Sequence, residues 1–165
     1  MPNTISGWRS KLIKPLTPFL LAALALLLGG ASVSAQAICR PVYGHIEGRA
    51  QEPPICGADF CSIGTFSGAI QGEYVVATTL NTDQPLPDVY FYTGATTATV
   101  QIGNRRGTLQ IENTGVFRSG GELTELEAIV GGAGDLAGAT GLLFVTGASG
   151  EETGQFRYEG MVCLP

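Results

Sequence analysis

The chain has 165 residues, room for one domain, and sets 14 acidic residues against 9 basic ones, a net charge of −5. That balance argues against a partner built of phosphates, since Arg105-Arg106 alone is not a basic patch. One histidine, His45, and four cysteines leave little for a metal centre or a serine–histidine triad.

The N-terminus reads as an export signal. Arg9, Lys11 and Lys14 precede the apolar run Phe19 to Leu28, and Val33-Ser34-Ala35 then offers small residues to a signal peptidase. Ten apolar residues fall short of the roughly 20 that span a bilayer, so no stable membrane span is expected once residues 1–35 are removed. Cleavage after Ala35 or Ala37 leaves six arginines, no lysine and all 14 acids in a secreted or extracytoplasmic protein.

Residues 36–64 are expected to form an N-terminal segment with a cysteine clip, and 65–165 a β-domain that begins as early as a strand near 42–48. All four cysteines lie in the exported part, which points to two disulfides with three conceivable connectivities. Gly57 permits a tight turn between Cys56 and Cys61, and Cys163 stands near the C-terminus. Cys56–Cys61 and Cys39–Cys163 are therefore the favoured pairs.

From Thr65 to Leu80 the period is two. Phe66, Ile70, Tyr74, Val76 and Leu80 share one face, and a bend over Gly68 to Gly72 splits the run into two strands if it is not one long strand. Further strands are predicted at Val89 to Tyr92, Thr97 to Ile102 and Gly107 to Glu112, and another starts at Val116. A hairpin turn over Asn104 to Gly107 and a turn at Ser119 to Gly121 separate them. Leu123 to Val130 carries helix-favouring glutamates but runs into Gly131-Gly132, so a strand is predicted there. A glycine-rich corner follows, with Gly134 and Gly138 the candidates for positive φ. Strands at Thr140 to Thr146 and Gln155 to Val162 complete eight or nine, with no helical stretch for crossovers. A single closed antiparallel β-barrel is expected, and a β-sandwich is the alternative.

Gly132-Ala-Gly134-Asp-Leu-Ala-Gly138 has the look of a nucleotide-binding glycine loop, but its spacing is wrong by one and a strand follows it. No cofactor and no metal are expected. Glu73, Glu112, Glu122, Glu125, Glu127 and Glu159 offer carboxylates for acid–base work, although alternation suits each to a solvated outer face. Tyrosines are more suggestive: Tyr74 and Tyr158 share parity with their apolar neighbours. With Tyr92 they form the candidate wall of a ligand cavity, since an eight-stranded barrel holds at most one small ligand.

The segments Gly107-Thr-Leu, Gly115-Val-Phe and Ile129 to Gly141 resemble the barrel signature of the allene oxide cyclase and dirigent-protein superfamily. Ala133 and Leu136 replace the usual threonine and aromatic of the glycine corner, while Gly138, Ala139 and Gly141 keep the pattern. The resemblance covers roughly Thr65 to Val162, and is greater to uncharacterised exported bacterial members with a cysteine pair ahead of a GTFSG-like strand. It implies an eight-stranded barrel, a homotrimer, and a small, mostly apolar organic ligand whose cyclisation or coupling is steered without a cofactor. It also calls for a luminal polar group, for which Glu112 and Arg157 are the catalytic candidates despite their opposite parity. The alternative function is a non-catalytic structural or surface-associated β-domain with a packed lumen.

Overall fold

A computed structural model describes residues 37–51, 56–81, 86–150 and 152–165. The expected signal peptide and its cleavage site at Ala35 lie outside the described residues; cleavage after Ala37 would fall at their first residue. Eight strands close into one antiparallel barrel in sequence order: β1 (Ile38–Gln51), β2 (Phe60–Gly68), β3 (Ile70–Leu80), β4 (Val89–Ile102), β5 (Arg105–Arg118), β6 (Glu122–Gly134), β7 (Thr140–Ser149) and β8 (Gly154–Leu164). The barrel begins at Ile38, so most of segment 36–64 belongs to its wall as β1 and β2.

Several predicted elements merge. Val89 to Tyr92 and Thr97 to Ile102 are one strand, β4, and the stretches on either side of Asn113 are one strand, β5. Gly94 and Asn113, which suggest interruptions in sequence, sit opposite each other as a paired position within the ladder. The Thr65 to Leu80 run is broken at Ala69, whose N–H donates to the Tyr43 carbonyl.

Alternation decides which side chains fill the interior. Val42 and Ile46 from β1, Phe66 from β2, Ile70 from β3, Ala98 and Val100 from β4, Leu109 and Ile111 from β5, Ile129, Leu143 and Val162 pack together. One irregularity lies in β6. Ile129 pairs with Ile111 but Gly132 pairs with Leu109, so one extra residue bulges between them and parity flips. Beyond the bulge, the corner after β6 folds Leu136 and Ala139 into the barrel end, both fully buried. That end is closed. The opposite end, where β1 and β7 finish and β4, β6 and β8 start, is the mouth.

Both favoured disulfides are present. Cys39–Cys163 joins directly paired residues of β1 and β8, and Cys56–Cys61 clips the approach to β2. On the outer wall, Leu126, Leu142, Phe144 and Met161 make a contiguous exposed apolar face across β6, β7 and β8.

Candidate functional site

Each of the three sequence-predicted tyrosines points inward, and each stands directly across from a glycine of the next strand: Tyr74 opposite Gly64, Tyr92 opposite Gly115, Tyr158 opposite Gly44. The rings lie over those glycines so closely that a Cβ at Gly115 would come within 2.4 Å of the Tyr92 hydroxyl oxygen. Glycine is thus required by close approach, and the pairing fixes where each phenol ends.

The three phenols have different surroundings. Tyr158 is 2% exposed and belongs to the closed end. Its hydroxyl accepts from the Ile70 N–H at 2.8 Å and lies 3.2 Å from the Ser67 carbonyl and 3.3 Å from that of Ile70, which ties it to the β2–β3 bend. Its ring meets Phe66 edge-on at 5.6 Å. Burial raises its pKa, with backbone hydrogen bonds opposing. Tyr158 is a structural strut.

Tyr92 stands near the mouth and donates to Glu125 Oε2 at 2.5 Å. Glu125 Oε1 accepts from Asn113 Nδ2 at 2.8 Å, and the same nitrogen reaches Glu127 Oε1 at 3.3 Å. Asn113 is oriented in turn by Thr96, whose hydroxyl lies 3.0 Å from Asn113 Oδ1. Four strands therefore supply one polar cluster: Tyr92 and Thr96 from β4, Asn113 from β5, Glu125 and Glu127 from β6, with Tyr74 of β3 beside them.

Glu127 is the buried end of that cluster, 4% exposed, and its Oε2 has no hydrogen-bond partner. Burial pushes its pKa well above the ordinary carboxylate value, and the charge of Glu125 and a hydrogen bond with it push further; Asn113 opposes. Glu127 therefore holds its proton more tightly than an exposed carboxyl does. Burial also drives the Tyr74 and Tyr92 phenols above their usual range, with both glutamates adding to the shift. All three hydroxyls stay protonated at neutral pH.

Tyr74 links the cluster to open space. It lines a cavity of about 330 Å³ at the mouth, together with Gly48, Arg49, Ser62, Glu152, Thr153 and Phe156. Glu125 and Glu127 are not among the lining residues; the influence of both on the Tyr74 hydroxyl places them near it. A larger groove of about 610 Å³ runs along the outside of β1 to β4, past Glu47, Arg49, Glu73 and Thr97. These side chains point away from the lumen.

Glu112 and Arg157, the charged candidates, are both exposed on the outer wall, as their parity indicates, and neither reaches the lumen. Ala95 and Asn113 show why: Glu112 pairs with outward Ala95 of β4, while the inward position of β5 is Asn113. His45 is likewise exposed. Sequence reading passed over Glu125 and Glu127 as members of a solvated face. A signal for them exists, because both share parity with Leu123 and Ile129. Leu126 and Val130, apolar but exposed, hold the outer positions and invert the usual rule. Among the described residues no group of three or more His, Cys, Asp or Glu side chains could hold a metal ion.

No protein-family model matches this chain, and no curated protein matches it significantly. Three chains of solved structures do. Among them is the structure of the pterocarpan synthase dirigent protein GePTS1, 12% identical, with 80% of this chain and 88% of that one covered and a TM-score of 0.33. A likeness of that depth assigns neither family nor activity.

Proposed function

We propose that the barrel binds a small, mostly apolar organic molecule at its mouth, with the Glu125–Glu127 pair as the polar contact and Tyr74, Tyr92 and Phe156 as the apolar wall. The observation that carries this reading is Glu127: a buried carboxyl with one oxygen unpartnered, near the Tyr74 phenol that lines the mouth cavity. Leaving a buried polar atom unpaired costs on the order of 1–3 kcal/mol, so its retention suits a group awaiting a ligand. The chemistry on offer is proton donation and return. Glu127, its proton held by burial, is the group to donate that proton and take it back, which is what steering a ring closure would use. The disulfides support folding in an oxidising, extracytoplasmic compartment.

The competing reading, a structural β-domain, has the packed closed end in its favour. Titrating neutral ring compounds that bear one hydroxyl or carbonyl, followed by tyrosine fluorescence, separates the two. Binding by the native protein that weakens at least about tenfold in Tyr74→Ala supports the site. No binding by the native protein leaves the structural domain.

A further inference from the structure

We infer that the ligand class selected at the mouth is a hydrophobic amine in its ammonium form, its nitrogen held by the Glu125–Glu127 carboxyls and its apolar body against Tyr74, Tyr92 and Phe156. This rests on the binding reading above and narrows it.

The argument is a charge and donor inventory. Strand by strand, the inward side chains around the pair are Tyr74 from β3, Tyr92 and Thr96 from β4, Asn113 from β5, and Leu143 and Val145 from β7, with Phe156 of β8 packed against the core. None is a cation. Arg49 and Glu152, one charge of each sign, line the rim of the mouth cavity. Arg40, Arg106, Arg118, Arg157 and His45 are exposed, and Arg105 donates to the Pro165 carbonyl at the closed end. The titratable groups facing Glu127 are thus Glu125 and the phenols of Tyr74, Tyr92 and Tyr158.

Of the four carboxyl oxygens, three have donors: Asn113 Nδ2 serves one on each glutamate, and the Tyr92 hydroxyl serves Glu125 Oε2. The fourth, Glu127 Oε2, has none. A buried carboxyl oxygen without a donor is a costly arrangement, and a charged N–H donor relieves it. An ammonium group brings that charge and up to three N–H donors at once. Aromatic faces nearby favour the cation further. An alcohol supplies one donor and no charge. A carboxylate adds repulsion, and Arg157 is not in the lumen to receive it.

Binding then has a proton balance. The ammonium displaces the proton that burial keeps on Glu127, and that proton leaves to solvent, so uptake of amine releases up to one proton and strengthens as pH rises while the amine remains charged.

Three probes of nearly equal shape test this in the full chain: 2-phenylethylamine, 2-phenylethanol and 3-phenylpropanoate, titrated calorimetrically in two buffers of different ionisation enthalpy. The expected order is amine, alcohol, carboxylate, with the amine at least about tenfold tighter than the alcohol and its apparent heat dependent on the buffer. Glu127→Gln should remove the proton release and reduce the preference for amine while alcohol binding persists; Glu125→Gln gives a second, independent loss of charge. An alcohol that binds as tightly as the amine, or a carboxylate that binds better, overturns the amine assignment and leaves the binding site standing. Binding of none of the three overturns both.

Discussion

Glu127 sets the pH behaviour of the barrel. Its pKa is raised in the folded state above the ordinary 4.5, so the folded protein keeps a proton that the unfolded chain releases. Stability from this residue is full below about that ordinary value and falls as pH rises toward the folded one. Urea unfolding from pH 4 to 8 should therefore show the native protein losing stability with rising pH from this residue. Glu127→Gln is permanently neutral and keeps a carbonyl for Asn113; its curve should lack that component, and the gap between the two proteins should widen upward in pH. Parallel curves would show that Glu127 is not held neutral. Tyr158 works differently although it shares the inward orientation of Tyr74: its hydroxyl is committed to the β2–β3 bend at 2.8 Å and leaves nothing to offer a ligand.

At the scale of the element, the corner between β6 and β7 shows that neighbouring glycines answer different demands. Gly134 and Gly138 have φ of 67° and 76°, where a side chain is strained whatever the space around it. Gly132 needs only room, since a Cβ there would meet the Leu136 carbonyl at 2.3 Å. Gly131 has neither constraint: a Cβ on it would meet nothing within 4 Å. Gly138→Val should thus cost about 1–3 kcal/mol in denaturant unfolding, while Gly131→Val should stay within about 0.5 kcal/mol of the native protein. Equal losses in both would mean the corner tolerates β-branched residues generally. The corner serves the closed end, seating Leu136 in the core, and does not belong to the mouth.

Across the barrel, closure removes every sheet edge, and the seam between β1 and β8 is where the first and last strands meet. Cys39–Cys163 crosses that seam with a separation of 124 residues, against 5 for Cys56–Cys61. Loop entropy assigns about 4–5 kcal/mol to the first and about 2 kcal/mol to the second. Replacing Cys39 and Cys163 together by alanine should lower unfolding free energy by about twice the loss from replacing Cys56 and Cys61, in matched urea titrations. A smaller loss for the seam pair would show that strand pairing between β1 and β8 already restrains the unfolded ensemble.

The sequence alone determined the all-β class and the inward Tyr74 and Tyr158, because side-chain orientation along a strand is a local, two-residue property. That parity spoke against Glu112 and Arg157, which the resemblance puts forward as luminal and the structure places outside. The same rule made Glu125 and Glu127 inward beside Ile129, although exposed Leu126 and Val130 disguised it. Tertiary structure decided which inward groups meet. Asn113 reaches both glutamates, and Tyr92 reaches Glu125, only through the β4–β5 and β5–β6 registers, and a one-residue bulge before Gly132 breaks the β5–β6 register beyond them. Register belongs to two strands at once and is fixed by the turns and core contacts between them, so no single stretch of sequence encodes it.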